Sequence, residues 1–237
     1  VSAAIQANPT AKSAIDIAAH DLLGKSWGLH VVQMLGGGFL DLPTSLTISL
    51  GSVEDSLRQL TELQAEKCQI IKVKVGGNVE EDIRRVRAIT EHLATERFYA
   101  DANQGYSLRD ALRLSAVLHE CGAMFFEQPL DRHALDDLRA LRKESGVPVM
   151  LDESIFSPGD VIDAVRREAA DYVNVKLTKS GGVRNAMKTL ITAQAYGIEA
   201  MVGCMVEGKL GTAAGLFVAS SLGNVRFTDL DGYTSMV

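Results

Sequence analysis

Apolar residues recur at three- and four-residue steps from Thr10 to Leu23: Ala11, Ala14, Ile15, Ala18, Ala19, Leu22 and Leu23 form a stripe between Pro9 and Gly24. This spacing predicts a leading helix at 10–23. Beyond it, short β-branched or aromatic runs alternate with amphipathic stretches of helical period. Strands are predicted at 46–50, 70–76, 98–103, 124–129, 147–154, 172–178, 198–205 and 225–231. Helices are predicted between them at 54–67, 79–94, 108–120 with Ser107 as a cap, 134–144, 158–168, from Gly182 to about Tyr196, and 209–221. Strict alternation implies right-handed βαβ units and a parallel sheet.

Eight strands and seven intervening helices in 237 residues predict an α/β fold, a TIM-like (β/α)7β barrel, with the leading helix in place of the missing eighth. No GxGxxG follows the first strand, which argues against an open doubly wound sheet. The chain is read as one barrel domain over residues 1–237, without a linker or a short repeat. Because it begins at Val1 in mid-pattern, it is expected to be a piece of a longer protein.

Composition narrows the class of function. A net charge of −6 argues against nucleic acid, and the basic residues Arg84, Arg85 and Arg87 follow Glu80, Glu81 and Asp82, as on solvated helix faces. The longest uncharged stretch, 210–225, carries glycine, serine and asparagine and is shorter than the ~20 apolar residues of a membrane span, so no membrane partner is expected. Cys68, Cys121 and Cys204 are odd in number and far apart, which favours a reducing, cytoplasmic compartment over a disulfide framework. The five histidines show no metal-ligand spacing, the GGG at 36–38 reads as a loop, and Trp27 reads as a packing residue.

The predicted barrel places its charges at the C-terminal ends of the strands, where sites of such barrels form. On the second strand Lys72 and Lys74 share a face with Ile70. Either this is an edge strand with a solvated lysine face, or a buried pair in which Lys72 lowers the pKa of its neighbour. Asp101 and Asn103 end the third strand, Glu127 the fourth, Asp152 and Glu153 the fifth, Asn174 and Lys176 the sixth, and Asp229 and Asp231 the eighth. Three carboxylates on successive strands repel one another unless a cation intervenes, and an oxygen-only set suits Mg²⁺. A metal holding a substrate carboxylate would stabilise the dianion left when the adjacent carbon loses its proton. A lysine on one face can remove that proton and a lysine on the other can return one, which inverts the carbon. Glu153, one residue beyond Asp152, is expected to point toward the helices or to support the site from behind.

The series KVK, DANQGY, FEQPL, LDES, NVKLTKSGG, GCMVEGK and DLDG, in this order from about Thr44 to Gly232, resembles the enolase superfamily. Within it the chain is most similar to the muconate lactonizing enzyme-like subgroup and its dipeptide epimerases of the L-Ala-D/L-Glu type. The resemblance implies an enolase C-terminal domain type of barrel, with Asp101, Glu127 and Asp152 as magnesium ligands, Lys74 and Lys176 as the opposed acid/base pair, and Lys72 as the auxiliary lysine. It further implies that Asp229 and Asp231 receive the free ammonium of a dipeptide, although the pair could instead close the last turn before Gly232. Thr47, Cys204, Met205 and Glu207 match positions that line such sites, and Glu207 has the alternative of a helix-start carboxylate.

The implied activity is inversion of the α-carbon of a dipeptide's C-terminal residue. Muconate or chloromuconate cycloisomerisation, o-succinylbenzoate synthesis and N-acylamino acid racemisation are the alternatives within the subgroup. A metal-free Schiff-base aldolase is the alternative outside it. The resemblance also implies an N-terminal capping domain, which is expected to be absent from this chain, and a tendency of such barrels to pair as homo-oligomers.

Overall fold

The computed structural model describes residues 6–235, and the alternation is realised there element by element. Helix α1 (Pro9–Trp27) and a short α2 (Val31–Met34) come first. Then β1 (Ser45–Ile48) leads to α3 (Val53–Ala65), β2 (Ile70–Lys74) to α4 (Val79–Glu91), and β3 (Arg97–Asp101) to α5 (Leu108–Glu120). Next, β4 (Phe126–Glu127) leads to α6 (Leu135–Glu144), and β5 (Val149–Leu151) to α7 (Pro158–Arg166). Strand β6 (Tyr172–Lys176) runs into α8 (Leu177–Ser180) and α9 (Val183–Ala195), β7 (Glu199–Gly203) into α10 (Lys209–Ala219), and β8 (Val225–Asp229) into a 3-10 turn, Gly232–Ser235. Strand order along the sheet follows chain order, from β1 to β8.

One compact body comprises Ser45–Ser154 and Asp163–Tyr172. Its strands β1 to β5 pair in parallel, each with the next. Ile48, Ile71, Val73, Phe98, Phe125 and Phe126 are fully or almost fully buried along them. The helices turn one face inward at the expected period: α5 buries Ala111, Leu114, Ser115 and Leu118. Each fully buried leucine or phenylalanine of this kind stabilises the fold by about 1.5–3 kcal/mol.

The helix starts are satisfied locally. Ser52, Asn78 and Ser107 accept hydrogen bonds from the first-turn amides of Asp55, of Glu80 and Glu81, and of Asp110. Ser107→Ala, which removes a bond of 3.2 Å to the Asp110 amide, should lower stability by about 0.5–2 kcal/mol in urea unfolding. No measurable change would show that Asp110 and water replace the cap.

The other body comprises the described residues up to Thr44, Ile155–Ile162 and Val173 onward. Here β7 pairs in parallel with β8, and Val175, Ala200, Val202, Leu190, Ala193 and Val218 are buried. Strand β6 ends two residues earlier than the β-compatible KLT run suggests. Residues 177–180 instead make one helical turn, stopped by Gly181 at φ 83°.

Helix α1 packs on α8 and α9 with the face opposite to the one its periodicity indicated. Ser13 and Gly24 are buried, whereas Ile15, Leu22 and Trp27 are 53 %, 70 % and 61 % exposed. The reason is close approach. A Cβ on Gly182 would lie 2.5 Å from Asp16 Cβ, and Asp16 Oδ2 accepts the Arg184 amide at 3.2 Å, at the start of α9. Small and acidic side chains fit that contact, so the apolar stripe and Trp27 face outward. Asp82 and Arg85 are a second reversal. Each is 2 % exposed rather than solvated, because α4 turns residues 82, 85, 86 and 89 inward together.

Candidate functional site

Register brings the first group of charged residues level with one another. Lys74 is opposite Asp101, Asp101 opposite Glu127, and Glu127 opposite Met150, on four adjacent strand ends. Asp152 lies two residues past Met150 and therefore on the same face. Exposure is 0 % for Asp101 and Glu127, 2 % for Asp152 and 3 % for Lys72. Lys72 Nζ lies 2.9 Å from Asp101 Oδ2 and 3.3 Å from Glu127 Oε2. Lys74 Nζ donates to the same Asp101 oxygen at 2.7 Å and to Asn103 Oδ1 at 2.6 Å.

The two lysines thus share a carboxylate rather than facing each other bare. Burial alone would raise the Asp101 carboxyl, but the Lys72 and Lys74 ammoniums outweigh it and hold the group below the usual carboxylate range. Lys74 is the more accessible lysine, with its side chain 28 % exposed against 3 % for Lys72. Lys72 lies beneath it, 5.8 Å from the centre of the Tyr99 ring.

Behind Lys74, Asn103 donates to Glu153 Oε1 at 3.0 Å. Glu153 is half-buried, and burial, followed by the charge of Asp152, raises its carboxyl. Asn103 adopts φ 42° and its amide closes on Asp101 Oδ1 at 3.0 Å, which aims its side chain between Lys74 and Glu153. Thr47 lies on β1 opposite Lys72 in register.

Residues outside the sequence-derived set also take part. Gln128, fully buried at φ 34°, accepts the amides of Asp152 at 2.9 Å and Ser154 at 3.2 Å, and so fixes the strand end that carries Asp152. Its only signal in the chain is its place beside Glu127 in FEQP.

The second group stands on β6 to β8. Asn174 and Lys176 are 0 % and 6 % exposed. Lys179, in the unforeseen turn α8, is equally buried; it donates to the Asn174 carbonyl at 3.2 Å and lies 5.5 Å from the centre of the Phe156 ring. Gly203 leaves room for these side chains: a Cβ there would lie 2.7 Å from Asn174 Oδ1 and 3.1 Å from Lys176 Cε. Gly203→Ala should therefore displace Lys176 and lower stability by about 1–3 kcal/mol in denaturant unfolding. A neutral substitution would mean that the lysine can give way without cost.

Asp229 pairs with Gly203 in register and is 3 % exposed, whereas Asp231 is partly exposed and its carbonyl accepts the Thr234 amide at 2.9 Å to begin the last turn. Burial, and after it the Asp229 charge, pushes the Cys204 thiol up to about 12, so it remains a neutral group. Met205 is half exposed. Glu207 accepts the Met205 amide at 3.0 Å and the Thr178 hydroxyl at 3.3 Å, which ties its loop to α8.

Among the described residues no group of three or more His, Cys, Asp or Glu side chains is arranged to hold a metal ion. Lys72 bridges Asp101 and Glu127 instead. The donor chemistry of Asp101, Glu127 and Asp152 nevertheless fits a hard divalent cation: all three are oxygen-only carboxylates and almost wholly buried. Among the described residues no helix is long and apolar enough to cross a membrane.

Residues 55–235 match the family model described as Enolase C-terminal domain-like, and residues 1–36 match that of the mandelate racemase / muconate lactonizing enzyme N-terminal domain. The chain is 37 % identical over 231 residues to an L-Ala-D/L-Glu epimerase of Clostridium acetobutylicum, covering 96 % of this chain and 64 % of that protein. It resembles the crystal structure of a dipeptide epimerase from Enterococcus faecalis complexed with Mg and the dipeptide L-Leu-L-Tyr, with TM-score 0.93, 32 % identity and coverage of 97 % and 65 %. It also resembles a muconate cycloisomerase from Pseudomonas fluorescens, with TM-score 0.92, 33 % identity and coverage of 98 % and 65 %. The chain thus spans a little under two thirds of these proteins. Its fold class is the TIM-like α/β barrel that the strand and helix alternation predicts.

Proposed function

Because the chain belongs to the enolase C-terminal domain-like family, we propose that the whole protein is a dipeptide epimerase, an isomerase that inverts the α-carbon of the C-terminal residue, with L-Ala-Glu as the first substrate to test. The observation that carries this reading is the accessible Lys74 amine, bonded to a buried carboxylate shared with Lys72. That arrangement fixes a proton-transfer group without closing it off.

In this reading Lys74 and Lys176 are the acid/base pair, one removing the α-proton as a free amine and the other donating to the opposite face as an ammonium. Lys72 holds Asp101 in place through its 2.9 Å contact. Asp101, Glu127 and Asp152 would hold Mg²⁺, which when bound neutralises the substrate carboxylate and so makes the α-proton more acidic. Asp229 and Asp231 receive the substrate ammonium, and Thr47, Cys204, Met205 and Glu207 line the space for its side chains. Asn103, Glu153 and Asn174 orient the lysines, as the Asn103 bonds to Lys74 and Glu153 support.

The likeness to a muconate cycloisomerase keeps a second reading, ring closure of a dicarboxylate, in view. Asp229 and Asp231 count against it, since such a substrate offers no ammonium to them. The test is a dipeptide library incubated with the complete protein and Mg²⁺ in D₂O, scored by mass spectrometry. Deuterium uptake and inversion at the C-terminal residue, abolished by EDTA, is the expected result. Absence of uptake in every dipeptide, with turnover of muconate, would replace this reading by the second.

A further inference from the structure

We propose that Asp82, Arg85 and Tyr106 form a buried clamp that sets the position of Lys74, making them positioning residues for proton transfer on one face of the substrate. The inference rests on the reading of Lys74 as an acid/base group. Lys74 is the last residue of β2, and its amine can be no better placed than the strand end that carries it.

Three side chains converge on that strand end. Arg85 Nη1 donates to the Lys74 carbonyl at 2.9 Å, and Nη2 to the Ser49 carbonyl, just past β1, at 2.8 Å. The same guanidinium is anchored on Asp82 Oδ1 at 3.0 Å and on Ser56 Oγ at 3.0 Å. The other oxygen of Asp82 accepts the amides of Gly76 and Gly77, both at 3.1 Å, and the Tyr106 hydroxyl at 2.5 Å. The Tyr106 oxygen in turn accepts the Gly76 amide at 2.8 Å.

Gly76, at φ 109°, has no room for a side chain, since a Cβ there would lie 2.4 Å from the Ala102 carbonyl. The turn after Lys74 is thus pressed against the segment that follows Asp101, the carboxylate with which Lys74 pairs. The clamp sets both the height of β2 and its distance from that partner. A buried ion pair is a weak source of net stability, because desolvation offsets most of its attraction. What it adds is geometry: the carbonyl before the turn and the two amides within it are all held by α4 and Tyr106. Burial and the Asp82 carboxylate raise the Tyr106 phenol, so it remains a hydrogen-bond donor.

Tyr106→Phe in the complete protein tests this with little loss of packing. The probes are L-Ala-L-Glu and L-Ala-D-Glu, each incubated separately with Mg²⁺ in D₂O and read for early α-proton exchange. With opposed bases, each epimer exchanges through a different lysine. Tyr106→Phe should slow exchange of one epimer about 10- to 100-fold and leave the other within about twofold, a misplacement effect on one base. The slowed epimer should be the one that Lys74→Ala silences. An equal fall in both epimers, or no fall, would overturn the positioning role.

Amide hydrogen exchange at Gly76 and Gly77 gives a reading independent of substrate. These amides should exchange faster in Tyr106→Phe, and unchanged protection would overturn the clamp itself. If the unaltered protein exchanges neither epimer, the epimerase reading fails while the amide measurement still decides the clamp.

Discussion

Lys74→Ala is expected to lower dipeptide epimerisation by about 10²–10⁴-fold, the range for loss of a positioned general acid or base. The effect should fall on turnover more than on substrate affinity. Lys74 is the more exposed lysine of the β2 pair, with 28 % of its side chain exposed against 3 % for Lys72. Its amine is held at 2.7 Å from Asp101 and 2.6 Å from Asn103, so alanine removes the proposed proton carrier while Lys72 keeps Asp101 paired. The fold should therefore survive the substitution. Steady-state epimerisation and α-proton exchange of each epimer are the measurements. A variant that retains more than about a tenth of the rate would exclude Lys74 from the chemistry.

Asp101→Asn is expected to destabilise the protein by about 3–5 kcal/mol, because it removes one partner of a buried charge pair while keeping the shape. Lys72, at 3 % exposure, would lose the carboxylate 2.9 Å away and keep only that of Glu127 at 3.3 Å, while Lys74 would face a neutral amide. The pH dependence follows from the same contact. In the folded protein the Asp101 carboxyl is held below its usual value, against its own burial, by Lys72 and then Lys74. A depressed carboxylate contributes stability that is present above the unfolded pKa of about 3.9 and is lost as pH falls through the folded value. Urea unfolding of the unaltered protein should weaken as pH drops below about 4, and Asp101→Asn should lack that acid-sensitive component. Stability within about 1 kcal/mol of the unaltered protein at pH 7 would show that the lysines are solvated when Asp101 is gone.

Much of this arrangement is legible in the chain because strand-end placement is a local property. A run such as IIKVKVG states which residues share a face, and strict alternation of strands with helices brings the ends of β2 to β5 into one row. The strand-end placement of Lys72, Lys74, Asp101, Glu127 and Asp152 is accordingly legible in the chain, as is the Ser107 cap. Periodicity says which residues lie together on a helix but not which face meets a neighbour. In α1 the apolar stripe of Ile15 and Leu22 faces outward, because Asp16 and Gly24 suit the close contacts on the other side. Asp82 and Arg85 had the look of solvated charges for the same reason.

The sequence by itself determined the order of the elements and the residue types at each strand end, since both depend on periods of a few residues. Only the tertiary structure decided that Lys72 and Lys74 share one oxygen of Asp101, that Gln128 holds the Asp152 amide, and that Arg85 grips the Lys74 carbonyl. Such contacts join positions 27 residues apart in the Lys74–Asp101 bond and 24 in that of Gln128. Their geometry depends on how neighbouring strands align and how closely glycines let the backbone approach, quantities that no local pattern encodes.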